Sequence, residues 1–440
     1  LKDKWTGGRK FINPAFAVRL QRGCIKFWDV CVKNRVILII ILGALLLALP
    51  SCQADSGPVP DLVVWTGMGD QELETLREIT RQFNEKNGLN VSIVKVPFGE
   101  LRIKYQIAAP ARQGPDLLTG PQDWIGAFAT ADLIDYLKES DLPDQERQSY
   151  NPVALENMTY DGRIYGLPLF METVAIIYNK DLVKTEPQTM KELVEQAVDF
   201  SATGTDKYGF FFEAGNLYFS WPFLSGYGSR IFGTTNGKMD INNILLNSPE
   251  TARGMSFLAD LKRKYNLLPN GATTDMMCGI FYERNMPFCL NGPWMLGELR
   301  NRNIPCGVMP IPLLDNGERP RPFVGVQGVI LNKLTRNRQL AIKFMHHLNQ
   351  PENQKSLCLA SGRIPSRFDT LKLIGDQEAI LKFAKAAEYG TPMPNHPAMS
   401  AVWVPMNEAL QLVIKGGKEP QEVLADTVRR IKDDIRIMTE

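Results

Sequence analysis

Residues 62–96 read LVVWTGMGDQELETLREITRQFNEKNGLNVSIVKV, and the hydrophobic period changes twice along them. Residues 62–65 form a short, continuous apolar run, as a buried strand requires. Over residues 71–87, Leu73, Leu76, Thr80 and Phe83 return on one face of a 3.6-residue repeat, which predicts a helix, and residues 90–96 are again strand-like. This β-α-β order continues with a helical stretch over residues 100–109 and a strand closing on Gly114-Pro115-Asp116-Leu117-Leu118. A helix follows from Asp123, with that Asp as its N-cap. Alternation of this kind predicts an α/β fold with a mostly parallel sheet covered by helices. Ligands of such sheets lie beyond the carboxyl ends of the strands, where Asp70 and Asp123 fall.

The second half of the chain has the same style. Residues 174–178 and 323–331 are strand-like, while residues 190–200 and 252–265 are helical. Residues 420–438 form an amphipathic helix with Val423, Leu424, Thr427, Ile431 and Ile435 on one side and Pro420 in its first turn. There is no internal repeat. Two α/β units joined by the apolar connector Phe323-Val324-Gly325-Val326, with the glycine as a pivot, predict two lobes around a cleft.

The length of 440 residues and 44% hydrophobic content are enough for a large core. The net charge of +2 hides a split: residues 1–51 hold nine Lys or Arg against Asp3 and Asp29, so the rest carries −5. A body of that sign offers no surface that would neutralise phosphates, and nucleic acid is excluded as a partner. Residues 36–49, VILIIILGALLLAL, are unbroken in apolarity and follow Lys33 and Arg35. A bilayer-spanning helix needs about 20 such residues, so this shorter run reads as the apolar part of a secretory signal. It ends in Leu49-Pro50-Ser51-Cys52, which resembles a lipobox with Cys52 as the lipidated residue, although Pro50 departs from the usual residue there. The chain begins with Leu1 and has no Met before Met68, so residues 1–31 are set aside as an extension, with a compact signal starting near Val32. Residues 52–61 then form a short polar tether.

Of the seven cysteines, Cys278, Cys289, Cys306 and Cys358 fall in the body without a CxxC pair. Buried free thiols are expected, with a Cys278–Cys289 disulfide as the alternative. His346 and His347 would point about 100 degrees apart on a helix, so no metal site is expected from them.

Several Trp residues stand in polar, turn-rich settings: Ser220-Trp221-Pro222, Gly292-Pro293-Trp294 and Ala401-Val402-Trp403. Sugars present C–H faces that pack on aromatic rings and hydroxyl edges that pair with carboxylates and amides. Six stretches in order resemble the maltose/maltodextrin-binding protein family, the family 1 extracellular solute-binding proteins of ABC sugar importers. These are Gly114-Pro115-Asp116-Leu117-Leu118, Ala175-Ile176-Ile177-Tyr178-Asn179-Lys180-Asp181-Leu182, Tyr218-Phe219-Ser220-Trp221-Pro222, Leu290-Asn291-Gly292-Pro293-Trp294, Arg321-Pro322-Phe323-Val324-Gly325-Val326 and Met393-Pro394-Asn395-His396-Pro397-Ala398-Met399-Ser400.

The resemblance implies a two-lobed periplasmic-binding-protein fold of type II with the ligand cleft between the lobes. One lobe would comprise residues 62–170 and 328–371 and the other residues 175–322 and 378–440, with hinges near 171–174, 323–327 and 372–377. It also implies sugar contacts at Asp70, Asp123 and Glu172 through carboxylates, and at Tyr218, Trp294 and Trp403 through rings. The family role is that of a lipid-anchored, extracytoplasmic monomer without cofactor, which hands a disaccharide, oligosaccharide or related glucoside to the transmembrane subunits of an ABC permease. Departures bear on which sugar. Gly120 replaces a Trp of the maltose binders, Trp124 an Arg, Arg102 and Ile103 an acidic pair, and Asn216 a Glu. Trp124 is expected to supply the stacking surface lost at Gly120, and the ligand class widens to trehalose, sucrose and glucosylglycerol. A carboxylate pair in an aromatic cleft also describes a secreted glycoside hydrolase, and a lipid-anchored chemosensory adaptor would share the fold. No acid/base signature supports the enzyme reading.

Overall fold

The computed structural model describes residues 59–439. The apolar run over residues 36–49, Cys52 and most of the tether lie outside the described residues. Among the described residues no helix is long and apolar enough to cross a membrane.

The β-α-β opening forms as its pattern requires: β1 (Leu62–Thr66), α1 (Asp70–Asn87) and β2 (Val91–Lys95). Helix α1 buries Leu73, Leu76, Ile79, Thr80 and Phe83 and ends at Gly88 in the left-handed conformation. Then come α2 (Phe98–Ala108), β3 (Leu117–Pro121) and β4 (Gly166–Glu172). The chain next enters a second sheet through β5 (Ala175–Asn179), β6 (Phe210–Phe211), β7 (Phe288–Asn291) and β8 (Cys306–Met309). It returns to the first sheet with β9 (Phe323–Asn332) and β10 (Ile364–Pro365).

The strand orders are β10-β4-β9-β3-β1-β2 in the first sheet and β8-β5-β7-β6 in the second. The expectation of a mostly parallel sheet is corrected to a mixed one. Strand β1 is parallel to β2 and β3, but β9 is antiparallel to both β3 and β4, and β5 is antiparallel to β7 and β8. The reason is the route of the chain. Strands β3, β4 and β7 run toward the junction of the sheets, whereas β5 and β9 start from it. The connector Phe323-Val324-Gly325-Val326 is itself strand, with Gly325 paired to Glu172 and Phe323 to Thr391.

Two hydrophobic clusters each belong to one lobe, and a third, with Trp65, Leu118, Ile177 and Val308, runs across both. Leu62, Val64, Leu76, Phe83, Leu117, Val329 and Phe344 pack together in the first. Phe210, Leu217, Phe223, Leu258, Leu290 and Leu424 pack in the second. The last helix, Pro420–Thr439, buries Val423, Leu424, Thr427, Ile431 and Ile435 as its periodicity predicts, at about 1.5–3 kcal/mol for each large aliphatic side chain.

Cys278, Cys289, Cys306 and Cys358 are all free thiols. His346 bonds Glu146 through Nδ1 and the Asp141 carbonyl through Nε2, while His347 reaches the Ile79 carbonyl, so the two rings serve different neighbours.

Candidate functional site

The strands that run toward the junction deliver their last residues to it. Strand β3 ends in a 3-10 turn, Gln122–Trp124, and the helix Ile125–Thr130 starts only after it, with Trp124 at the N-cap position. Asp123 is therefore not the N-cap expected of it. Gln122 fixes the turn, since its Oε1 accepts from the Val326 N–H at 2.6 Å on β9. Asp123 is 7% exposed. Burial pushes its carboxyl up to about 6, against the Arg102 charge, a backbone N–H and the Trp403 indole N–H.

Glu172 is the final residue of β4 and equally buried. Gln327 Nε2 donates to Oε1 at 3.0 Å and Arg363 Nε to Oε2 at 2.6 Å. Burial pushes this carboxyl up and the Asp123 charge adds to that. The value reaches about 7 although the Gln327 amide bond acts the other way; burial lowers Arg363 as well, and the direct contact between the two favours the charged form of each. Arg363 also pairs with Glu72, whose second oxygen accepts from the Gly69 N–H at 2.9 Å. Arg363 reaches this position because Gly362, at φ +77°, ends the helix Pro351–Ser361 in the left-handed region.

The second lobe contributes rings. Tyr218 lies 6.3 Å from Trp294 and 6.3 Å from Phe323, centroid to centroid. Phe323 stacks on Trp221 at 4.8 Å and meets Trp403 edge-on at 6.0 Å. The Tyr218 hydroxyl is buried without a hydrogen-bond partner. Burial and then the Glu172 and Asp123 charges raise its proton affinity. Buried polar atoms in native proteins are nearly always bonded. A buried orphan hydroxyl flanked by the Trp294 and Phe323 rings fits a ligand that carries hydroxyls.

The lobes meet around this set. Arg102 Nη2 donates to Ser400 Oγ at 2.6 Å, and the Arg363 guanidinium lies 5.8 Å from the Trp294 ring centroid. Asp123, Glu172, Tyr218, Trp294 and Trp403 are thus brought together. Trp124 is 5% exposed, packed with Phe98 and Phe128 and lying over Gly120. Asn216 is the N-cap of the helix Leu217–Gly226, and its side chain accepts from the Tyr218 N–H, so it positions Tyr218. Asp70 is not brought to the cluster; its side chain is 91% exposed and pairs with Lys95. Sequence reasoning missed Glu72, Gln327 and Arg363. Glu72 had a signal, because it shares the helical face of Leu76, Ile79 and Phe83, where a charge is out of place. Arg363 had none, since its partners are distant in sequence.

A two-lobed α/β chain with a polar-aromatic site where the lobes meet defines an extracellular solute-binding protein. The family model described as bacterial extracellular solute-binding protein matches residues 78–406. The maltotriose-binding protein of Pyrococcus abyssi is 32% identical over 81% of this chain and 78% of its own length. The galactooligosaccharide-binding protein of Bacillus subtilis is 28% identical over 86% of this chain and 90% of its own. Among solved structures, the maltotriose binding protein of Thermus thermophilus bound with maltotriose superposes with a TM-score of 0.80 at 33% identity, covering 85% of this chain and 100% of that one. The chain belongs to the maltose/maltodextrin-binding family of bacterial extracellular solute-binding proteins.

Proposed function

We propose that this protein is the extracytoplasmic receptor of an ABC importer and that it holds a short glucose-containing oligosaccharide or glucoside between its lobes. The observation that carries this reading is the meeting of Asp123 and Glu172 from one lobe with Tyr218, Trp294 and Trp403 from the other, around the unpartnered Tyr218 hydroxyl. The acids accept hydroxyl hydrogen bonds and the rings stack on C–H faces. A ligand touching both sides favours the closed arrangement by its differential contacts, which links occupancy to delivery. The relatives named above support an oligosaccharide. The altered residues Arg102, Ile103, Gly120, Trp124 and Asn216 keep trehalose, sucrose and glucosylglycerol beside the malto-oligosaccharides.

Lobe limits near residues 171–174, 323–327 and 372–377, a lipid anchor on Cys52, release of the ligand to a permease and a monomeric state complete the reading. Both Glu172 oxygens accept charged or amide donors, which favours the accepting carboxylate over a proton-donating acid even though burial raises this group to about 7. Titration calorimetry with maltose, maltotriose, trehalose, sucrose and glucosylglycerol, followed by product analysis, tests it. Saturable binding of an unchanged sugar is expected, and cleavage of the sugar rejects the receptor role. Incorporation of labelled fatty acid that disappears in Cys52→Ala tests the anchor.

A further inference from the structure

Phe98 is 51% exposed although it opens a helix whose Leu101 and Tyr105 are fully buried. Its ring is stacked on Trp124 at 5.6 Å and 28°. The contact is a fitted one. A side chain at Gly67 would meet Phe98 at 3.0 Å, and one at Gly120 would meet the Trp124 ring at 2.8 Å, so two glycines make room for the pair. Phe98 also lines a cavity of about 30 Å³, room for a water, with Gly67, Met68, Thr119, Gln327 and Arg363. The last two are the groups that hold Glu172.

We infer that Phe98 is a sugar-stacking residue of the first lobe, which sets specificity by packing its exposed face on one sugar ring at the mouth of the cleft, beside the Gln327–Arg363 edge. This rests on the receptor reading and adds a residue to it. The physical case is that an aromatic face beside amide and guanidinium donors matches the two chemistries of a pyranose, an apolar face and a hydroxyl rim. A half-exposed Phe contributes little to the core, so its value lies in what it meets in the cleft. The Phe98–Trp124 stack also accounts for the ring lost at Gly120: Trp124 fills the space above that glycine and supports Phe98 from beneath.

The test is calorimetric titration of the full-length chain with maltotriose and the other sugars of the panel, as wild type, Phe98→Ala, Phe98→Leu and Phe98→Tyr, with melting temperatures for each. Phe98→Ala and Phe98→Leu should bind the preferred sugar about tenfold more weakly, the loss of one aromatic stacking contact, with melting temperatures near that of the wild type. Phe98→Tyr should stay within about twofold. Equal affinity of Phe98→Leu and wild type overturns the inference and leaves the receptor reading intact. Absence of binding by the wild type to any sugar overturns both.

Discussion

Arg363 Nε stands 2.6 Å from Glu172 Oε2, and the same guanidinium pairs with Glu72, all three side chains being almost wholly buried. One cation thus serves two acids, one at the start of α1 and one at the end of β4. Removing it leaves two carboxylates in a low-dielectric site with no counter-ion. Arg363→Met is therefore expected to lower unfolding stability by about 3–5 kcal/mol, read from urea titration at pH 7. A change below about 1 kcal/mol would mean that the acids find other partners.

Asp123 links pH to both stability and binding. Its folded value of about 6 lies above the ordinary 3.8, because burial disfavours the charge. The folded state thus binds more protons between these values. Its contribution falls as pH rises through that window, by up to roughly 3 kcal/mol for a two-unit shift. Sugar binding has the opposite trend, since hydroxyls need the ionised acceptor, and affinity should weaken as pH drops below about 6. Asp123→Asn should reduce both pH dependences and leave the part that comes from Glu172, which burial also raises. Calorimetry and thermal melts between pH 4.5 and 8 check this, and an unchanged pH profile in the variant assigns the titration elsewhere.

How legible was this site before the structure? The elements of residues 62–96 and the C-terminal helix followed from hydrophobic period alone, because their faces are buried within one lobe. Asp123, Glu172, Tyr218, Trp294 and Trp403 came from family resemblance and turn context, and the fold gathers them. The N-cap role given to Asp123 is a local reading that did not foresee the 3-10 turn before the helix, where Trp124 takes the N-cap position. Arg363 meets Glu172 across 191 positions of sequence, and no local pattern announces such a pair. The mixed sheet was hidden for a similar reason, as strand direction depends on the chain passing between lobes.

Gly292 allows Trp294 to lie close against the end of β7, where a Cβ would come within 2.1 Å of the indole. Gly292 itself has φ −98°, so alanine is conformationally allowed there and acts by moving the ring. Gly292→Ala should weaken sugar binding about tenfold or more, as expected for a displaced stacking ring. Titration calorimetry reads this directly, and full affinity would show that the Trp294 position is not critical.

His346 offers a separate pH signal far from the cleft. The hydrogen bond to Glu146 raises its pKa above 6.5 despite burial. A raised histidine contributes fully below its unfolded value, and the contribution disappears as pH rises through the folded value. Wild type should exceed His346→Gln in stability at pH 5.5, with the gap closing at alkaline pH. A gap that is constant with pH would assign the difference to packing.

The central claim is that one sugar is held by an acid from one lobe and a ring from the other. Titration of the wild type, Glu172→Ala and Trp294→Ala with the sugar that wild type binds most tightly tests it directly. The account predicts that each variant, on its own lobe, loses at least about thirtyfold in affinity, roughly 2 kcal/mol, while remaining folded by circular dichroism. Retention of wild-type affinity by either variant would contradict a ligand held from both sides.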